Sequence, residues 1–90
     1  MSQPYLSELH LFAGICMGFM GRLEEAAGEF ERAAELDSHS VIALKNLGGA
    51  YFYLGDSARA IAVWKKALSI EPDNRQIMDL ISSTIGSGRK

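Results

Sequence analysis

The feature that most constrains this chain is an internal repeat. Laid over residues 41–74 without a gap, residues 7–40 place Gly14 on Gly48, Gly21 on Gly55 and Ala26 on Ala60. The same frame puts Phe30 on Trp64, Ala33 on Ala67, Leu36 on Ile70 and Asp37 on Glu71. A fixed period of 34 residues (41 minus 7) marks supersecondary units that stack and share a core.

Each unit reads as two helices. In the second, Leu44, Leu47, Tyr51 and Leu54 recur at helical spacings of three and four. Gly55 then supplies a stop, because glycine tolerates the left-handed conformation that follows a helix end. Asp56 is a good cap for the next helix, whose expected buried stripe is Ala60, Ile61, Trp64, Ala67 and Leu68. Pro72 closes the unit, since a proline disfavours helix at the residue before it. The first unit copies this plan, with helices expected from about Pro4 to Met20 and from about Arg22 to Leu36, and with Ser38 or Ser40 capping the next. Asp73 is expected to cap a fifth helix from about Asn74 to Ile85, followed by a frayed tail from Gly86 to Lys90.

The spacing has a packing rationale. Gly14, Gly48, Ala26 and Ala60 are small where helices cross closely, and Phe30, Tyr51 and Trp64 are large where space remains. The second unit, with Leu44, Leu47-Gly48, Tyr51, Ala60, Trp64, Ala67 and Pro72, resembles a full tetratricopeptide repeat. The first departs from that pattern at His10, Ala13, Met17 and Ser38, while Gly14, Ala26, Phe30 and Ala33 fit. The resemblance implies an all-α solenoid of stacked antiparallel helix pairs with five helices. It would form a single domain over 1–90, with repeats at 7–40 and 41–74 and a capping helix at 74–85.

The resemblance also implies a concave face built from the first helix of each unit. Its expected members are Glu8, Leu11, Phe12, Ile15, Gly18 and Phe19, then Ile42, Lys45, Asn46, Gly49, Phe52 and Tyr53, and Gln76, Asp79, Leu80, Ser83 and Gly86 in the last helix. A solvated groove should be polar, yet Leu11, Phe12, Ile15, Phe19, Ile42, Phe52 and Tyr53 are apolar. The first helix is apolar almost all round, a pattern of helices buried on every side, and exposed patches of this kind are interaction sites. The expected function is therefore protein–protein interaction, as an adaptor, scaffold or assembly factor. A partner helix or apolar peptide would lie on Leu11, Phe12, Ile15, Phe19, Ile42, Phe52 and Tyr53, with Lys45 and Asn46 as polar contacts. The alternative is a self-assembling structural module whose groove is buried in a homodimer or higher oligomer. Two further readings are a groove covered by the chain's own residues Met1 to Leu6, and a groove that holds a lipid or small apolar ligand.

Some repeat modules of this family clamp acidic chaperone tails with lysine, arginine and asparagine. At the matching positions stand Leu11, Ile15, Asn46, Gln76 and Leu80, of which Asn46 alone fits, so carboxylate capture is not expected.

Charge and composition narrow the classes. The chain is 48% hydrophobic and 22% charged, enough apolar material for a core. A net charge of −2 argues against nucleic-acid binding, which needs a basic face. Residues 7–40 carry seven acidic and two basic side chains, whereas 41–90 carry four acidic and seven basic. That division fits solvated outer faces, or alternatively head-to-tail steering between chains. Leu9 to Met20 is too short to cross a bilayer, which takes roughly 20 residues, and Met1 to Glu8 has no basic residue of a secretory leader. Cys16 is the sole cysteine and makes no internal disulfide; it is expected buried or at an interface, and the expected location is the cytoplasm.

No enzyme motif emerges. His10 and His39 lack the converging ligands of a zinc site, and Cys16 and His10 lie on different faces of one helix. Glu24, Glu25, Glu29 and Glu31 are expected on an exposed helix, and Gly48-Gly49 lies inside a helix rather than in a phosphate loop. No cofactor or metal is expected.

Overall fold

The computed structural model describes residues 4–87. Five α-helices follow one another: α1 (Pro4–Phe19), α2 (Leu23–Leu36), α3 (Val41–Tyr53), α4 (Ser57–Ile70) and α5 (Arg75–Ser87). Each helix packs on the next, and α1 also touches α3 lightly. Three- and four-residue connections leave consecutive helices no course but to reverse direction. The result is an all-α solenoid segment of 41 × 30 × 16 Å.

The helix ends follow local chemistry. Gly21 and Gly55 take φ of 77° and 89°, the conformation that glycine adopts without steric cost. At the first, Arg22 N donates to Met17 O (2.9 Å) and Gly21 N to Gly18 O (3.0 Å). At the second, Asp56 N donates to Tyr51 O (2.9 Å) and Gly55 N to Phe52 O (3.0 Å). These paired bonds satisfy carbonyls that a helix C-terminus otherwise leaves open. Ser40 caps α3 by accepting from Ala43 N, so Ser40 rather than Ser38 plays that part, and Asp56 caps α4 through Arg59 N. The cap of α5 is Asn74, which accepts from Ile77 N at 3.0 Å. Asp73 lies one residue too early for that bond. The helix also runs on through Gly86 and Ser87, which are not part of a frayed tail; Gly88 to Lys90 lie outside the described residues, as do Met1 to Gln3.

The core is built twice on one plan. A Cβ on Gly14 would fall 2.5–3.0 Å from the Phe30 ring, and one on Gly48 would strike the Trp64 indole. Both rings lie against a helix backbone that has no side chain at the crossing. Around them Ala26, Ala33, Ala60 and Ala67 are buried, and Ile77 brings α5 onto the same core. Ile61 and Leu68 are only half-buried, because α4's covered stripe is the narrower set Ala60, Trp64 and Ala67. Trp64 Nε1 donates to Lys45 O at 3.1 Å, which satisfies the one polar atom of a side chain that is 1% exposed.

Helix α1 is not buried on all sides. It packs on α2 and barely on α3, so Tyr5, Leu9, Phe12 and Phe19 remain open and Cys16 is exposed rather than buried.

A candidate docking groove

The groove grows out of the alternation of α1, α3 and α5 along one side of the stack. Between α1 and α3 lies an open cavity of about 330 Å³ lined by Gly14, Ile15, Gly18, Phe19, Leu23, Ala26, Phe30, Asn46, Gly49, Ala50 and Tyr53. A second, of about 190 Å³, lies beside it between α3 and α5, lined by Gly49, Phe52, Tyr53, Trp64, Leu80, Ser83 and Thr84. Gly49 and Tyr53 belong to both, so Tyr53 stands as a ridge between two hollows. The glycines make the hollows: nothing lies within 4 Å of where a Cβ would sit on Gly18 or Gly49.

Of the expected groove residues, Ile15, Phe19, Asn46 and Tyr53 line the larger cavity and Phe52 the smaller. Phe19 is 89% exposed and Tyr53 73%. The Phe52 ring packs edge-on to Tyr53 (centroids 5.4 Å apart) and lies 6.4 Å from Trp64, which ties the exposed ridge to the core. Leu11 is not a groove anchor: it is 9% exposed and belongs to the core, because it shares the covered side of α1 with Ser7, one turn back, and Gly14. Phe12 and Ile42 are exposed but line neither cavity.

The two polar candidates differ. Lys45 Nζ donates to Gln76 Oε1 at 3.0 Å, a tie between α3 and α5. Asn46 Nδ2 donates to Ile42 O one turn back (3.0 Å), and its carboxamide oxygen accepts from nothing among the described residues. It can therefore take an N–H from a bound chain.

Polar contacts the sequence did not disclose lie away from the groove. His10 Nδ1 meets Glu29 Oε1 at 2.7 Å, and Ser7 Oγ donates to Ala33 O at 2.9 Å, both pinning α1 to α2. Tyr51 donates its hydroxyl to Glu31 while Arg59 lies over its ring, 5.5 Å from the centroid. Burial, and then the bond to the Glu31 carboxylate, push the Tyr51 phenol above its ordinary value. Thus Glu29 and Glu31 are not a free acidic face. Among the described residues no group of three or more His, Cys, Asp or Glu side chains converges as a metal site. No helix among them is long and apolar enough to cross a membrane.

Residues 41–74 match the tetratricopeptide repeat family model. Over 87 residues the chain is 30% identical to a mouse protein described as FK506-binding protein-like. That alignment takes in 97% of the chain and 25% of the mouse protein, so the chain spans about a quarter of that relative's length. The chain carries a tetratricopeptide repeat in an all-α helical-repeat fold, an architecture of protein-interaction scaffolds.

Proposed function

We propose that this tetratricopeptide-repeat chain is a non-enzymatic adaptor that holds the apolar face of a partner helix, or an apolar peptide, in the groove between α1 and α3. The observation that carries the reading is the open cavity of about 330 Å³ whose wall combines exposed Phe19 and Tyr53 with Ile15 and the unclaimed carboxamide oxygen of Asn46. Aromatic anchors around a concavity, with a few polar groups to fix register, are the composition of a recognition site. Phe52 supports Tyr53 from behind, and Lys45 holds α5 in place rather than meeting the partner. We place the chain in the cytoplasm, since its single cysteine makes no internal disulfide that would require an oxidising compartment.

Selection from a displayed peptide library tests this directly. Selected binders should be amphipathic or apolar, should shift the amide resonances of Ile15, Asn46, Gly49 and Tyr53, and should lose affinity at least tenfold against Tyr53→Asp. Binders indifferent to Tyr53→Asp, in a variant whose melting curve is unchanged, would place the site elsewhere.

A further inference from the structure

A second apolar surface lies on α1 and meets the groove at Phe19, which belongs to both. Tyr5, Leu9, Phe12, Cys16 and Phe19 follow one another at intervals of four, three, four and three residues, and all five are exposed. This alternation averages about 3.5 residues and keeps one seam along one side of a helix, the pattern with which helices pair. Ser7, Leu11 and Gly14 mark the buried side of the same helix. In the repeat frame Leu9 and Cys16 stand where α3 has Ala43 and Ala50, both buried. Helix α3 is packed by α2 and α4, whereas α1 has α2 and a light touch of α3. The seam is thus a position that the fold covers in one unit and leaves open, with larger side chains, in the other.

We infer that the seam is a homotypic interface, on which α1 of a second copy of this chain packs in the opposite direction about a two-fold axis at Phe12. Tyr5 and Phe19 lie seven residues either side of Phe12, so an antiparallel two-fold at Phe12 sets each against the other and Phe12 against its equivalent, with Leu9 level with Ile15 and Cys16 level with Glu8. Tyr5, Leu9, Phe12 and Phe19 are 83%, 64%, 59% and 89% exposed. With about 150–250 Å² for each aromatic side chain, the seam offers on the order of 550 Å² per copy. Two copies would bury roughly 1,100 Å², just below the range of about 1,200–2,000 Å² of stable interfaces and the size of a weak, concentration-dependent dimer. The seam carries no charge, and Glu8 lies at its edge. The antiparallel arrangement separates the two Glu8 residues by about 12 Å along the axis (1.5 Å per residue), whereas a parallel one sets them level.

Light scattering on the full chain, from low micromolar to submillimolar concentration, reads the mass. The expected result is a doubling across the range for the native chain and for Tyr53→Asp, and a single-chain mass throughout for Leu9→Glu with Phe12→Glu. The double variant should keep the native melting curve at dilution, since both side chains are exposed. In a Cys16→Ser background, Phe12→Cys should cross-link dimers on oxidation with copper-phenanthroline, while the native chain should not link through Cys16. A single-chain mass at every concentration, or a dimer that survives Leu9→Glu with Phe12→Glu, overturns the inference. A dimer lost in Tyr53→Asp instead would assign self-association to the groove. Native cross-linking through Cys16 would overturn the antiparallel arrangement.

Discussion

Gly48→Ala should destabilise the protein even though it replaces the poorest non-proline helix former with the best. The new methyl would sit 2.5 Å from Trp64 Cδ1 and 2.6 Å from Cε2, where carbon atoms prefer about 3.5–4.0 Å. The indole must retreat by about an ångström to restore that spacing, and it is 1% exposed and bonded to Lys45 O, so it has no free direction to take. Overpacking of this kind costs about 1–3 kcal/mol, and weakening the indole hydrogen bond adds about 0.5–1.5 kcal/mol. Helix propensity returns about 0.5–1 kcal/mol. The net loss is about 1–3 kcal/mol, which for a chain of this size lowers the melting temperature by roughly 4–8 °C per kcal/mol. The control is the adjacent residue. Nothing lies within 4 Å of a Cβ on Gly49, so Gly49→Ala should be neutral or stabilising by up to about 1 kcal/mol. Urea unfolding followed by Trp64 fluorescence and by far-ultraviolet circular dichroism measures both. A Gly48→Ala protein as stable as the native chain would refute the close crossing of α3 and α4.

Other consequences are as open to measurement. Trp64→Ala should cost about 3–5 kcal/mol as a large-to-small change at a closed site; an unmoved thermal midpoint would contradict the repeat register. Asn74→Ala should cost about 1 kcal/mol through loss of the α5 cap, while Asp73→Ala should stay within about 0.5 kcal/mol; the reverse order would restore Asp73 as the cap. Tyr51→Phe should cost about 0.5–1.5 kcal/mol near neutral pH. Because burial and Glu31 raise the folded pKa of Tyr51, the folded state holds the phenol proton more tightly. Its stabilisation is complete below the ordinary value of about 10 and is lost as pH rises toward the folded value. The stability difference between native and Tyr51→Phe proteins should therefore shrink above that pH; a constant difference would mean that the shift is absent.

Much of the architecture could be read along the chain because it rests on short-range rules. The repeat frame paired Gly14 with Gly48 and Phe30 with Trp64, and the structure shows each glycine under the ring that lies sixteen residues on. Gly21, Gly55, Asp56 and Ser40 act through bonds spanning three to five residues, so their roles needed no knowledge of distant neighbours. Even there, the choice of Asn74 over Asp73 turned on where the first helical residue falls, a matter of one position that composition does not resolve.

Tertiary structure decided which side of each helix is covered. Periodicity gives a residue's angle around a helix, but Leu11 and Phe12 became core and surface only once α1 was packed against α2 and lightly against α3, which among the described residues leaves its remaining side open. The same holds for Lys45, whose ammonium meets Gln76 across thirty-one residues of chain. Helices α1 and α3 are both apolar all round, yet α3 has neighbours on two sides and α1 essentially on one. Burial depends on the number of packed neighbours, and those come from residues far away in the chain, so the division of α1 into core, groove and open seam exists only in three dimensions.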